Sequence, residues 1–158
     1  MPQFDPLLTL ALAATALNGL LCGASLDQSI KQVPSRNRIG VRNYAVYARG
    51  ADLGSGIYWY AILSNAAVLA SIAAAWLGWI QASGRLLVLL LLCALFSLAH
   101  TVATFRAAPT MFKTRKVSLD DEQTLRMLFD RFARWQALRA ALQVLTFALS
   151  LWSVVLAR

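Results

Sequence analysis

The sequence is short of charge. Asp, Glu, Lys and Arg make up 14% of its residues, against roughly a quarter in an ordinary soluble domain. Hydrophobic residues make up 59%. A soluble core of 158 residues cannot hide that much apolar surface, so the natural solvent for the excess is lipid. Cysteine is scarce: Cys22 and Cys93 each fall inside an apolar run, with no CxxC pair. His100 is the single histidine, and with two distant cysteines it makes no zinc site of usual spacing. No metal and no haem are expected. The chain lacks a phosphate-cradling glycine loop, a GxSxG turn and an HExxH pair, and Ser64, Ser71 and Ser97 have no matching base and acid. No cofactor is expected either. No alternation of apolar and polar residues suggests a membrane barrel.

The net charge is +8. In a soluble protein this would raise nucleic acid as a partner. Here the charges lie between long apolar runs and no nucleic-acid module is visible, so nucleic acid is not expected. The basic residues read instead as orientation against an anionic lipid bilayer.

Four apolar runs remain, at about 6–25, 57–80, 86–105 and 137–157. About 20 residues at 1.5 Å rise cross the hydrocarbon core. No Lys or Arg precedes the first run, and Asp5 does, so a retained helix is expected rather than a signal peptide. Only helices or closed barrels satisfy their backbone groups in lipid. The fold class is therefore all-α, a single four-helix transmembrane domain over 1–158. The short connection Gln81–Arg85 makes the second and third helices antiparallel neighbours. Between residues 26 and 56 lie five Lys and Arg, and between 106 and 139 eight, while the other side has only Arg85 and Arg158. Thirteen against two puts both long connections in the cytoplasm and both termini outside. A bacterial inner membrane is the expected location.

The connections are not plain loops. Ile39, Val41, Tyr44, Val46 and Tyr47 among charges predict an amphipathic piece at the interface, followed by a glycine-rich turn. Ser118 with Asp121 three residues later marks a helix start. Leu125, Leu128, Phe129, Phe132 and Trp135 continue at helical spacing. One long last helix is expected from about Leu119. Gly19 with Gly23, and Ala67 with Ser71 and Ala75, are small-residue faces suited to close helix packing.

Polar residues inside a span face the bundle interior or a water-filled cavity. Asn18, Asn65, His100 and Gln143 each lie roughly 7–12 Å from the same end of their spans at 1.5 Å per residue. Arg139 lies one turn nearer that end. Arg49, Asp52, Tyr58, Trp59 and Tyr60 before the second span, with Thr110, Arg134 and Trp135 on the other side, form an expected mouth. The pattern predicts an aromatic-lined pocket at the cytoplasmic end for a flat or amphipathic ligand. Tyr58 and Trp59 fit an interfacial aromatic belt as well. His100 suits a general base, and suits equally a neutral imidazole bonded across the bundle.

The stretch Asp52-Leu53-Gly54-Ser55-Gly56-Ile57-Tyr58-Trp59-Tyr60, the segment Pro109-Thr110-Met111-Phe112-Lys113 and the pair Trp135 and Arg139 together resemble the four-helix membrane family of unknown function that includes the fungal anthrone oxygenases. Met111 stands where Asn is common in that family, and Gln136 with Ala137 where another Asn is common. The resemblance implies pocket-mouth roles for Pro109, Thr110, Trp135 and Arg139. It also implies cofactor-independent oxidation of a lipophilic aromatic or quinone-like compound by molecular oxygen. His100 would be the base, Arg139 the enolate stabiliser and Asn65 an orienting donor. The remaining substrate contacts would come from Asn18, Tyr58, Trp59, Thr110, Trp135 and Gln143. The competing reading is a non-enzymatic lipophile binder or a helper subunit, with a homo-oligomer or a membrane protein as partner. A transporter fits less well, because no inverted repeat and no membrane-buried carboxylate is visible.

Overall fold

The computed structural model describes residues 5–157. Among them the chain is helical nearly throughout and contains no strand. Helix α1 is Pro6–Asp27. The Asp5 carboxylate starts it by accepting the Leu7 and Leu8 N–H groups at 2.9 and 3.1 Å, and Pro6 occupies the first turn, where a missing N–H costs nothing. Beyond the first apolar run the helix continues through a π-helical turn, Gln28–Gln32, into α2, Val33–Ile39. Gly40 breaks it at φ +82°, a conformation that only glycine adopts readily. Then follow α3, Val41–Gly50, a second π-helical turn at Ala51–Ser55, and α4, Gly56–Gln81. Ala82 and Ser83 alone separate α4 from α5, Gly84–Lys113. A short 3-10 turn, Thr114–Lys116, leads towards α6, Glu122–Leu156.

Four helical segments are long and apolar enough to cross a membrane: Pro6–Ile39, Val41–Gln81, Gly84–Lys116 and Glu122–Leu156. They contain the first three expected spans, and the last covers the fourth up to Leu156. The last helix starts at Glu122 rather than Leu119, because Asp121 and not Ser118 caps it. The Asp121 carboxylate accepts the Thr124 N–H at 3.1 Å, while the Ser118 hydroxyl accepts from Asp120 in the turn before.

The buried residues recur with one period. In α1 and the turn after it they include Leu7, Ala11, Ala14, Asn18, Leu21, Ser25 and Gln28. In α6 they include Leu125, Phe129, Phe132, Gln136, Arg139, Gln143, Thr146, Ser150 and Ser153. Both sets step by four and three alternately, the seven-residue repeat that keeps one seam of a helix facing its neighbours. Three of the seven residues in the first seam and six of the nine in the second are polar, and the outward faces carry large apolar side chains such as Ile62, Leu69, Trp76, Val102 and Trp152. That inversion suits a bundle whose solvent is lipid.

The largest apolar cluster sits at the Lys/Arg-rich end, where α3 packs onto α5 and α6. Tyr44 is fully buried and meets Phe129 edge-on, ring centroids 4.8 Å apart. Of this amphipathic piece Val41 and Tyr44 meet protein, while Ile39, Val46 and Tyr47 stay exposed. Two arginines lock the end. Arg49 donates to the carbonyls of Thr114 and Val117, both at 2.6 Å, and Arg115 donates back to the carbonyl of Leu53. At Gly54 the backbone leaves helical geometry, with ψ −120°, and the chain bends into α4.

Gly56 is required at that bend. A Cβ there would stand 2.7 Å from the Ala51 carbonyl oxygen. In the first small-residue face, Gly19 backs onto the Phe147 ring, whereas Gly23 has nothing within 4 Å. Gly56→Ala is expected to destabilise the protein by about 1–3 kcal/mol, the usual cost of forcing a strained backbone. Gly23→Ala should be neutral or stabilising by about 0.5–1 kcal/mol through helix propensity. Thermal unfolding of both variants in detergent checks the pair, and equal effects would contradict the close approach at Gly56.

Candidate functional site

A cavity of about 260 Å³ lies near the Lys/Arg-rich end of the bundle. Its walls are apolar: Leu53 from the second π-turn, Ile57 and Ala61 from α4, Phe105, Ala108 and Met111 from α5, Phe132 from α6. Its polar lining is concentrated in Gln28, Asp52, Tyr60 and Arg139, with Ser64, Asn65, Thr101 and Thr104 higher on the walls. Leu53, Met111 and Phe132 belong also to the cluster that closes the basic end.

Arg139 is only 6% exposed. One guanidinium nitrogen donates to Gln136 Oε1 at 2.7 Å. Gln136 in turn donates to the Ser25 carbonyl and the Ser29 hydroxyl at 3.2 and 3.3 Å, so the arginine is oriented from α1. Its Nε has no hydrogen-bond partner among the described residues. Asp52 shares the cavity and stands before the apolar span of α4. Its Oδ2 is buried and likewise unpartnered. The ion pairs among the described residues involve Asp27, Asp120 and Asp130 rather than Asp52. The two charges thus share a wall without closing on each other.

The other expected site residues divide by place. His100 is 1% exposed but does not line the cavity. Its Nδ1 lies 3.3 Å from the Arg139 carbonyl oxygen. A carbonyl only accepts, so Nδ1 carries a proton, and Nε2 is buried without a partner among the described residues. Asn18 and Gln143 lie away from the cavity, in a clasp through the bundle. Gln143 donates to Asn18 Oδ1 at 2.8 Å, Asn18 to Ser71 Oγ at 2.9 Å, and Ser97 to the same Ser71 oxygen at 3.2 Å. Each of α1, α4, α5 and α6 contributes one member.

Asn65 lies on the lip, exposed, and donates to the Ala61 carbonyl of its own helix at 2.7 Å. Tyr58 and Trp59 point outward, 73% and 54% exposed, and Tyr60 is the aromatic of that trio that lines the cavity. Thr110 is buried on α5 and bonds back to the Arg106 carbonyl. Trp135 is half-buried against the basic-end cluster. Cys22 and Cys93 are both free and buried. No group of three or more His, Cys, Asp or Glu among the described residues is placed to hold a metal.

Gln28, Gln136 and Phe132 were not expected at the site. Their signal is the seven-residue seam: Gln28 follows Asn18, Leu21 and Ser25, and Phe132 and Gln136 precede Arg139, each at helical spacing.

Asn18→Ala removes the central member of the clasp and leaves Gln143 Nε2 and Ser71 short of a partner. A loss of about 1 kcal/mol is expected, in the upper range for side-chain bonds between membrane helices. Unfolding in mixed micelles measures it, with exposed Thr9→Ala as control, and an equal loss in both would remove the clasp's role. No protein-family model, curated protein or solved structure matches the chain, so the chemistry of the cavity is read from its own residues.

Proposed function

We propose that the protein is a multi-pass membrane protein whose cavity binds a lipophilic aromatic or quinone-like compound and oxidises it without a cofactor. In this reading the helices form an antiparallel bundle, with both basic connections cytoplasmic and both termini outside. The Lys and Arg asymmetry and the two-residue turn at Ala82 and Ser83 support that orientation.

The observation that carries the reading is the pair of buried, unpartnered atoms, Asp52 Oδ2 and Arg139 Nε, on the wall of an otherwise apolar cavity. Buried polar groups are costly without hydrogen bonds. A ring bearing an acceptor for the guanidinium and a donor for the carboxylate satisfies both. The volume, about 260 Å³, is at the small end for ligand cavities, which suits a compact ring system.

The segments that resemble the anthrone oxygenase-containing family contribute Asp52, Tyr60, Met111, Phe112 and Arg139 to this lining. That supports the same reaction class. Asp52 takes the base role that the sequence suggests for His100, removing a phenolic or benzylic proton. Arg139 faces the enolate oxygen and stabilises its charge. The resulting carbanion is readily oxidised by molecular oxygen, which partitions into apolar space. A ring CH₂ becomes C=O. One oxygen atom enters the carbonyl, and the other leaves as water with both hydrogens. His100, behind Arg139, is a positioning residue for that turn of α6.

The second reading, a lipophile binder or helper subunit that does no chemistry, is favoured by one observation. Asn65 and His100 both bond backbone carbonyls instead of converging on the ligand space.

The test is mass spectrometry of lipophiles retained by the gently solubilised protein, together with oxygen uptake on adding an anthrone. Wild type should retain one aromatic or quinone-like compound and consume one oxygen molecule per anthrone oxidised. Arg139→Gln and Asp52→Asn should each reduce retention and turnover at least ten-fold. Retention without oxygen uptake would leave the binder. An empty wild type that captures one stoichiometric membrane protein would leave the helper subunit.

A further inference from the structure

The mouth of the cavity does not lie where an aqueous ligand would meet it. Toward the basic end the space is closed by Leu53, Met111 and Phe132, each 4% exposed and packed in the cluster under α3. The Arg49 and Arg115 bonds to backbone carbonyls fasten that closure. The exposed members of the lining are elsewhere. They are Ala61 and Asn65 on α4 and Phe105 and Phe112 on α5.

These four residues lie within the outward apolar faces of the two helices. Along α4 the exposed stripe runs Tyr58, Ile62, Asn65, Leu69. Along α5 it runs Leu98, Val102, Phe105, Phe112, with Phe105 73% exposed. In a spanning bundle such stripes face acyl chains. No lining residue at the rim is charged. Exposed Arg106, beside Phe105, sets the depth, since an arginine on this face reaches the headgroups. Pro109 stands on the same helix between Phe105 and Phe112. It has no N–H to give the carbonyl four residues back, so the Phe105 carbonyl loses its intrahelical donor at the rim.

We infer that the gap between α4 and α5 is a lateral portal, and that the cavity takes the ring of a membrane-dissolved amphiphile whose hydrocarbon chain stays outside among the lipids. The inference rests on the ligand-binding reading above and adds the class of ligand and its route. A cavity of about 260 Å³ holds a ring but not a long chain as well. With the ring at Asp52 and Arg139, the chain leaves between Ala61 and Phe105 into the leaflet at the basic end. Loading from the bilayer also explains how an apolar ligand reaches a site that is sealed toward water.

The test uses full-length protein in phosphatidylcholine nanodiscs and two probes. One is a hydroxybenzoquinone carrying a decyl chain with a diazirine at its end. The other is the same hydroxybenzoquinone with no chain. Saturable photolabel from the tailed probe should map to the outward faces of α4 and α5 around Ala61, Asn65 and Phe105. The chainless quinone should compete at least ten-fold less well. Ala61→Trp, a substitution at an exposed lipid-facing position that leaves the fold intact, should cut labelling at least ten-fold. Label confined to 28–40 and 114–121, or full labelling in Ala61→Trp, overturns the portal while leaving the ligand-binding reading in place. Absence of saturable labelling anywhere overturns both.

Discussion

The hydrogen-bonded clasp of Asn18, Ser71, Ser97 and Gln143 is the interaction on which the rest depends. Helices in lipid gain little from burying apolar faces against one another, because the solvent is as apolar as they are. Register then falls to close packing of small residues and to polar contacts. The clasp joins one side chain from each of α1, α4, α5 and α6, and in doing so fixes the relative depth of all four helices. Because α1 and α6 share a seven-residue seam, fixing Asn18 against Gln143 fixes the levels one and two turns further along. Ser25 meets Gln136 there, and Arg139 is held at the cavity wall by Gln136. The geometry of the site is thus set one or two turns away from it.

The cavity itself arises from a change in the chain's path. Above Gly56 the bundle has four parallel-lying seams to fill its centre. At Gly54 the backbone turns out of helical geometry, and α3 leaves the line of α4 to lie on α6 through Tyr44 and Phe129. The centre loses part of one helix at that level. The kinked Ala51–Ser55 turn stands there instead, and its close return requires Gly56. Asp52 is carried on that turn, which is why a carboxylate is found inside a bundle whose spans contain none.

Much of this was legible in the residues. Span lengths, helical class and the clustering of polar groups near one end follow from lipid as solvent and from a 1.5 Å rise. The seam carries more: the alternating four-three steps from Leu7 to Gln28 and from Leu125 to Ser153 name Gln28, Phe132 and Gln136 as inward residues. Asn65 shows the limit of depth as a guide. It lies at the right level, but two residues before Ala67 it is turned nearly opposite to the buried face of α4, and it bonds its own helix. Tyr58 and Trp59 fail the same angular test, and Tyr60 passes it. The Arg49 and Arg115 bonds to backbone carbonyls were not legible, because which distant loop an arginine reaches is a tertiary fact. Thirteen basic residues in the two long connections also mask individual roles, since the orientation expected from them already accounts for most of them.

Arg139 sharpens the case for a ligand. A guanidinium taken out of water loses several kcal/mol of hydration free energy, even after relaxation. Structures that bury one for stability surround it with carboxylates and close every donor. Here the nearest pairing is with a neutral amide, Gln136, while the acid that shares the space keeps one oxygen free. Asp52 and Arg139 line one cavity without forming an ion pair. Under the proposed reading a third group stands between them. A ring with a hydroxyl and a carbonyl is such a group, and its arrival would turn two unsatisfied atoms into charge-assisted hydrogen bonds in a medium where those are strong.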